Sequence, residues 1–322
     1  MASPVMVPKD IITRIIGHFS DDDFDTLEEC SVVSHAFSVP SQKRLFSIVH
    51  IGPGRKLCRR LYRLLTRSPH IASYIRELHV VDRVRDGKGW VPIYEAFPRL
   101  LQTVTPYLQS FSLSFREYAG VEWDRLPADL QSSLLDLFRS SRLVSIKVSH
   151  IHGSNFPMSV LRTLCQLRKL GFLARSSPDA TLGDGFQPTL PPELRPKPGA
   201  SKKQLESLEL GGDMSAQVVA CLMHPDSLLG ITELREVSIH DAEKLGMLDT
   251  VWEIIQRSAP TIESFIWNDP VLEPEGKLFR SLHSPSIAHA CPFSTKRGQS
   301  IPTSGPESHP QSSLPWVSCL RR

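Results

Sequence analysis

The feature that most constrains this chain is a short apolar motif that recurs seven times through its middle. Each copy has an apolar residue, two residues of any kind, a second apolar residue, one of any kind, and a third apolar residue. The copies are Ile75-Leu78-Val80, Leu108-Phe111-Leu113, Leu143-Ile146-Val148, Leu167-Leu170-Phe172, Leu205-Leu208-Leu210, Leu234-Val237-Ile239 and Ile262-Phe265-Trp267, with starts roughly 24–38 residues apart. Side chains alternate across a strand, so the second and third apolar positions share a face and the first tucks the incoming turn inward. Each copy therefore predicts one strand. Between copies run segments with helical spacing, such as Leu130, Leu134, Leu135, Leu137 and Phe138 after Pro127, and Leu245, Met247, Leu248, Val251, Trp252, Ile254 and Ile255 before Pro260. Strand then helix, repeated, predicts an α/β fold with parallel strands and helices on the outer side.

The period is close to, or somewhat longer than, that of leucine-rich repeats, although the asparagine of strong repeats is missing after most copies. Residues 73–270 are therefore expected to form an irregular leucine-rich-repeat-like solenoid, curved because helices are wider than strands. A non-repetitive α/β domain is the other reading of the same alternation. Between Arg175 and Lys203 the chain carries Pro178, Pro188, Pro191, Pro192, Pro196 and Pro198 among Gly, Ser and Lys, and a disordered insertion is expected at 175–203. From Glu273 onward it turns rich in Ser, Pro and His, with Ser284-Pro285-Ser286 and Ile301-Pro302-Thr303-Ser304-Gly305-Pro306, so 271–322 is expected to be a disordered tail. An array ending without a polar capping repeat is also what a truncated gene product would leave.

The first fifty residues follow a different pattern. Pro8 suits a first helical turn, where its missing N–H would be unpaired anyway, and Ile11, Ile12, Ile15, Ile16 and Phe19 recur at helical spacing. Gly17-His18-Phe19-Ser20 and the acidic run Asp21, Asp22, Asp23 and Asp25 end that helix. An aspartate there is placed to cap a second helix from near Thr26, whose apolar stripe is Leu27, Cys30, Val33 and Phe37. A third short segment after Pro40 contains Leu45, Phe46 and Ile48. Burying an aliphatic side chain is worth about 1.5–3 kcal/mol, whereas ordering the backbone costs roughly 1–2 kcal/mol per residue. A unit this small is expected to need a partner.

Taken together, Val7-Pro8, Ile11, Ile15-Ile16, the Asp-rich turn, Thr26-Leu27, Cys30, Val32-Val33-Ser34, Phe37 and Leu45-Phe46 resemble an F-box, in the variant common among mushroom-type fungi. Val7 stands where the family usually has Leu, and Phe37 where tryptophan is frequent; both keep apolar bulk. The resemblance covers about 45 residues and continues more loosely through Ser68-Pro69-His70-Ile71 and Ile75-Arg76-Glu77-Leu78. It implies a three-helix F-box over 1–50 and a substrate-receptor subunit of an SCF-type cullin–RING ubiquitin ligase. On that reading Pro8, Ile11, Ile12, Ile15, Leu27, Val33 and Phe37 are contacts to a Skp-type adaptor or the core of the helical module. A target protein of unknown identity would meet the strand face at positions such as Glu77, Ser112, Ser114, Lys147, Glu209 and Ser238. No catalysis and no cofactor are implied. The alternatives are a non-catalytic interaction scaffold, or a divergent or truncated family member without ligase recruitment. An ordinary N-terminal helical cap on a larger domain needs no family at all.

Composition narrows the remaining classes. A net charge of +3 and a pI near 8.5 are far from the skew that favours nucleic acid as a partner. The six cysteines are scattered without a C-x-x-C pair, against a zinc module or a disulfide framework. Neither a signal peptide nor about 18 consecutive apolar residues occurs, so no membrane partner is expected and the location is expected to be cytoplasmic or nuclear. No phosphate loop, H-E-x-x-H helix or G-x-S-x-G elbow is present, and Gly52-Pro53-Gly54-Arg55-Lys56 lacks the spacing of the first and reads as a turn. His150 and His152 alternate at a strand end without carboxylates or thiols nearby, a poor metal site. Arg55, Arg59, Arg63 and Arg67, with Lys56 and Arg60 alongside and Leu57, Leu61, Leu64 and Leu65 opposite, predict a basic amphipathic helix within 51–72. A solvated linker is the favoured reading of that helix, and a patch for an acidic substrate, phosphate or nucleic acid the functional one.

Overall fold

A computed structural model describes residues 7–20, 23–52, 54–83, 89–92, 94–116, 121–152, 156–164, 166–175, 202–212, 215–240 and 246–268. The expected insertion at 175–203, apart from its margins at Arg175 and at Lys202 and Lys203, and the expected tail at 271–322 lie outside the described residues. The fold is α/β, with parallel strands and several helices, in two compact units. Among the described residues no helix is long and apolar enough to cross a membrane.

The first unit, Met1–Leu113 with Pro127–Leu143, opens with α1 (Lys9–His18), α2 (Phe24–Val33) and α3 (His35–Leu45). Pro8 stands at the N-cap of α1 with φ −57° and ψ 144°, one residue outside the helix it was expected to begin. At the start of α2, Asp23 occupies the N-cap but does not turn its carboxylate onto the helix; Oδ2 accepts from the Ser20 N–H at 2.9 Å and closes the inter-helix turn. The third helix does not wait for Pro40. It begins at His35, after the extended Ser34, and takes Pro40 into its interior, forfeiting the bond that an N–H there would make to Ala36. Burial of Pro40 and Leu45 accompanies that loss, and α3 packs against both α1 and α2. Ile48, expected in the third helical segment, instead opens a strand.

That strand, β1 (Ile48–Ile51), pairs in parallel with β2 (Glu77–Arg83), Ile48 opposite Glu77 and Ile51 opposite Val80. The basic helix α4 (Arg55–Arg67) is thus a crossover between paired strands rather than a free linker. Leu57, Cys58, Leu61 and Leu65 are its buried residues, and it packs on α5 (Ala96–Val104) and the 3-10 turn Pro69–Tyr74. Burial pushes the Cys58 thiol up to about 12. β3 (Ser110–Arg116) neighbours β2, and α6 (Ala128–Phe138) packs on α5.

Along β2 burial alternates, so Leu78, Val80 and Asp82 point inward. The third of these is a carboxylate with no solvent exposure, accepting the backbone N–H of Trp90 at 3.1 Å and of Val91 at 3.0 Å. Burial pushes its pKa above the ordinary value against the opposing pull of those two donors. Gly89 makes this approach possible, because a Cβ there would collide with Asp82 Oδ2.

In the second unit, Ser114–Leu126 with Val144 onward, the strands are β4 (Val121–Glu122), β5 (Ser145–His152), β6 (Lys169–Arg175), β7 (Lys203–Gln204), β8 (Ser207–Gly211), β9 (Leu229–Gly230), β10 (Glu236–His240) and β11 (Ser264–Asn268), with α7 (Ser215–Met223) and α8 (Gly246–Ser258) between. β5, β6, β8, β10 and β11 pair in that order, all parallel; β4 pairs with β5, and β7 with β9. The apolar motifs fall into register. Ile146, Leu170, Leu208, Val237 and Phe265 are successive partners, as are Val148, Phe172, Leu210, Ile239 and Trp267.

The turn into each strand is tied to its neighbour in the same way. The Val144 carbonyl accepts from Arg168 and Lys169, that of Arg168 from Glu206 and Ser207, that of Glu206 from Arg235 and Glu236, and that of Arg235 from Glu263 and Ser264. The first apolar residue of each motif, Leu143, Leu167, Leu205, Leu234 and Ile262, sits buried immediately before this step. Edge-to-face rings of Trp123, Phe156 and Phe172, with centroids 5.0 and 5.1 Å apart, fill the core beside β6. A bulge interrupts β5 at His150, whose φ is +62°, so the strand does not run through His150 with the simple alternation expected there.

Candidate interaction surfaces

On α1 the apolar residues divide by helix face. Ile12 and Ile16 are each only 2% exposed, whereas Ile11 is 41% and Ile15 44% exposed. Positions 11 and 15 lie one turn apart on the same stripe, and Val7 and Pro8 continue it as exposed residues at the helix start. On α2, Leu27 is buried, while Val32 and Val33 are exposed at its C-terminal end; Phe37, on α3, is half-buried. Of the seven residues nominated from the sequence, Ile12 and Leu27 are therefore module core. Pro8, Ile11, Ile15 and Val33 face solvent. Val7 and Val32, absent from that set, join the exposed group; their apolar character was visible in the sequence, but their exposure is a property of the packed helices.

The second surface is the sheet face of the second unit that carries the alternate, non-motif positions. Lys147 on β5 reaches across β6 to Glu209 on β8, with Nζ 2.9 Å from Oε1 and 2.7 Å from Oε2. The strand it crosses holds Gly171 directly between them, where a Cβ would lie 3.0 Å from Lys147 Cγ and 3.3 Å from Glu209 Oε2. His240 Nε2 on β10 is 3.1 Å from Glu209 Oε1, a close approach in which the ring N–H is not aligned on the oxygen. Asn268 Nδ2 on β11 closes the row at 3.2 Å from His240 Nδ1.

Burial alone would push the Glu209 carboxyl up, but His240 and Lys147 more than offset it and hold the group below its ordinary value of 4.5. A depressed folded-state pKa contributes stability that is present above the unfolded pKa and is lost as pH falls through the folded one. Glu209→Gln is therefore expected to lower the unfolding free energy at pH 7, with the gap to wild type closing as pH drops below about 4.5, in urea titrations at a series of pH values. A gap independent of pH would show that the ion pairs are not its source.

Of the strand positions nominated for target contact, Lys147 and Glu209 belong to this row, and Ser238 is the register partner of Glu209. His240 and Asn268 were missed. Nothing in the local sequence joins them to Glu209: His240 lies opposite Gly211 and is paired with Asn268, and it meets Glu209 only diagonally across the strands. Glu77, on the first unit's β2, lies with Oε2 3.5 Å from His79 Nε2, and the His79 ring stacks on that of His50 at 4.7 Å. Ser112 and Ser114 on β3 are half-buried. Among the described residues no group of three or more His, Cys, Asp or Glu is placed to hold a metal ion.

No protein-family model matches the chain, and no curated protein matches it. Among solved structures, a protein from Bacteroides fragilis aligns with 51% of this chain at 12% identity and a TM-score of 0.27. The chain spans 44% of that protein's length, and a likeness at this level carries no argument about fold or function.

Proposed function

We propose that this chain is the substrate-receptor subunit of an SCF-type cullin–RING ubiquitin ligase, in which α1 and α2 dock on a Skp-type adaptor and the strand-bearing region holds a target protein. The observation that carries the reading is the apolar surface left over on the small helical module. Val7, Pro8, Ile11, Ile15, Val32 and Val33 remain exposed after Ile12, Ile16 and Leu27 have been buried. Covering exposed aliphatic surface contributes about 25 cal/mol per Å², and clustered patches of it mark binding sites. The exposed set overlaps the residues that the F-box resemblance assigns to the adaptor.

The downstream region is an irregular leucine-rich-repeat-like array on this proposal. Support for it comes from the in-register motifs of β5, β6, β8, β10 and β11 and from the repeated two-donor step into each strand. Such a receptor performs no chemistry itself. It raises the effective concentration of a target's lysines at the ubiquitin-loading machinery.

Titrating the intact purified protein with a Skp-type adaptor from a mushroom-type fungus, by calorimetry, tests the proposal. Saturable one-to-one binding is expected. A heat signal no different from buffer sinks the ligase-receptor reading and leaves a scaffold without ligase recruitment.

A further inference from the structure

Six cations and no acid lie on α4: Arg55, Lys56, Arg59, Arg60, Arg63 and Arg67, all exposed. At 100° per residue they share an arc of about 140°, opposite the buried Leu57, Leu61 and Leu65, and at 1.5 Å per residue they span roughly 18 Å. Arg55, Arg59, Arg63 and Arg67 follow one another at four-residue spacing, as do Lys56 and Arg60, an arrangement in which like charges repel. None of the six makes an ion pair or side-chain hydrogen bond within the described chain. The apolar side of α4 is already committed to α5 and the Pro69–Tyr74 turn, so the cationic side is the face left for a ligand.

We infer that this face docks an acidic polypeptide segment in extended conformation. The spacing fits: one step of four residues rises about 6 Å along the helix, and alternate side chains of an extended strand are about 6.6 Å apart on one side. A segment with an acid at every second position can therefore set successive carboxylates against Arg55, Arg59 and Arg63, where guanidinium groups offer paired donors. Taking the six cations out of the chain's net charge of +3 leaves the remainder at −3, so this strip accounts for the chain's net excess of positive charge. That favours a short acidic segment over a long polyanion, which the rest of the surface would repel. No aromatic side chain stands exposed on the strip for base stacking, and no apolar one for insertion into a bilayer.

The test uses the full chain and a fluorescent peptide of about eleven residues alternating Glu and Gly, read by anisotropy at low salt. Arg59→Gln with Arg63→Gln is expected to weaken binding at least about fivefold. Arg139→Gln with Arg142→Gln, which removes the same charge from exposed positions after α6, is expected to change it less than about twofold. The same peptide with Gln for Glu is expected not to bind. Absence of binding by the acidic peptide, or equal losses in the two double variants, overturns the inference. So does tighter binding of a duplex oligonucleotide or of phosphatidylserine vesicles, which would reassign the strip to nucleic acid or membrane. A salt-sensitive dimer in sedimentation that loses its association in the Arg59, Arg63 variant would assign it to a second copy of the chain.

Discussion

Replacing Ile11 and Ile15 together by aspartate is expected to weaken the complex with a Skp-type adaptor by at least about a hundredfold, while the isolated protein keeps its wild-type melting temperature within about two degrees. Both side chains are more than two-fifths exposed, so a carboxylate at either position stays hydrated in the free protein. In the complex the same carboxylates would be desolvated without partners. Loss of two aliphatic contacts, each worth about 1.5–3 kcal/mol when fully buried, and the cost of that desolvation act in the same direction. Ile12→Asp serves as the contrast: at 2% exposure it is expected to unfold the helical module itself, seen as lost helicity by circular dichroism before any partner is added. Undiminished adaptor binding by the double variant would remove α1 from the interface. A collapse of its melting temperature would mean that Ile11 and Ile15 belong to the core.

Asp82→Ala is expected to cost about 2–4 kcal/mol of unfolding free energy, because it strips the acceptor from two buried backbone N–H groups at once. Each oxygen of the carboxylate takes one donor, Trp90 N–H on Oδ1 and Val91 N–H on Oδ2, so Asp82→Asn can satisfy only one and is expected to fall between wild type and alanine. The pH dependence runs opposite to that of Glu209. Burial raises the folded-state pKa of Asp82, so its ionisation subtracts stability as pH climbs from the unfolded value through the folded one; the asparagine variant lacks that decline. Urea titrations followed by tryptophan fluorescence, to which the buried Trp90 contributes, supply the readout. A loss under about 1 kcal/mol for alanine would show that the Trp90–Val91 segment is anchored by its packing and not by the acid.

Much of the strand pattern was legible because burial on alternate residues is a local property. Leu170 and Phe172, or Leu208 and Leu210, announce a one-sided strand within five residues and need no knowledge of their neighbours. Helix boundaries near Pro40 were not legible in that way. Proline usually ends a helix, yet here the packing of α3 against α1 and α2 keeps Pro40 inside one, a tertiary gain set against one missing hydrogen bond. Nor was the use made of Asp23 legible: it sits at the N-cap position, but its carboxylate accepts the Ser20 N–H and closes the turn instead of capping the helix.

The seven apolar motifs and the isoleucines of α1 belong to the sequence alone, since period and hydrophobicity decide which residues seek burial. Which of them obtain it, and which side chains meet, only the tertiary structure decided. Ile11 and Ile12 are chemically identical neighbours about 100° apart on a helix, and the packing of α1, which meets α3, makes one surface and the other core. Lys147, Glu209, His240 and Asn268 are separated by 62, 31 and 28 positions in the chain. Parallel register sets Lys147, Gly171 and Glu209 side by side, with Gly171 leaving the gap through which a lysine on β5 reaches a glutamate on β8, and it pairs His240 with Asn268 two residues further along, within diagonal reach of Glu209.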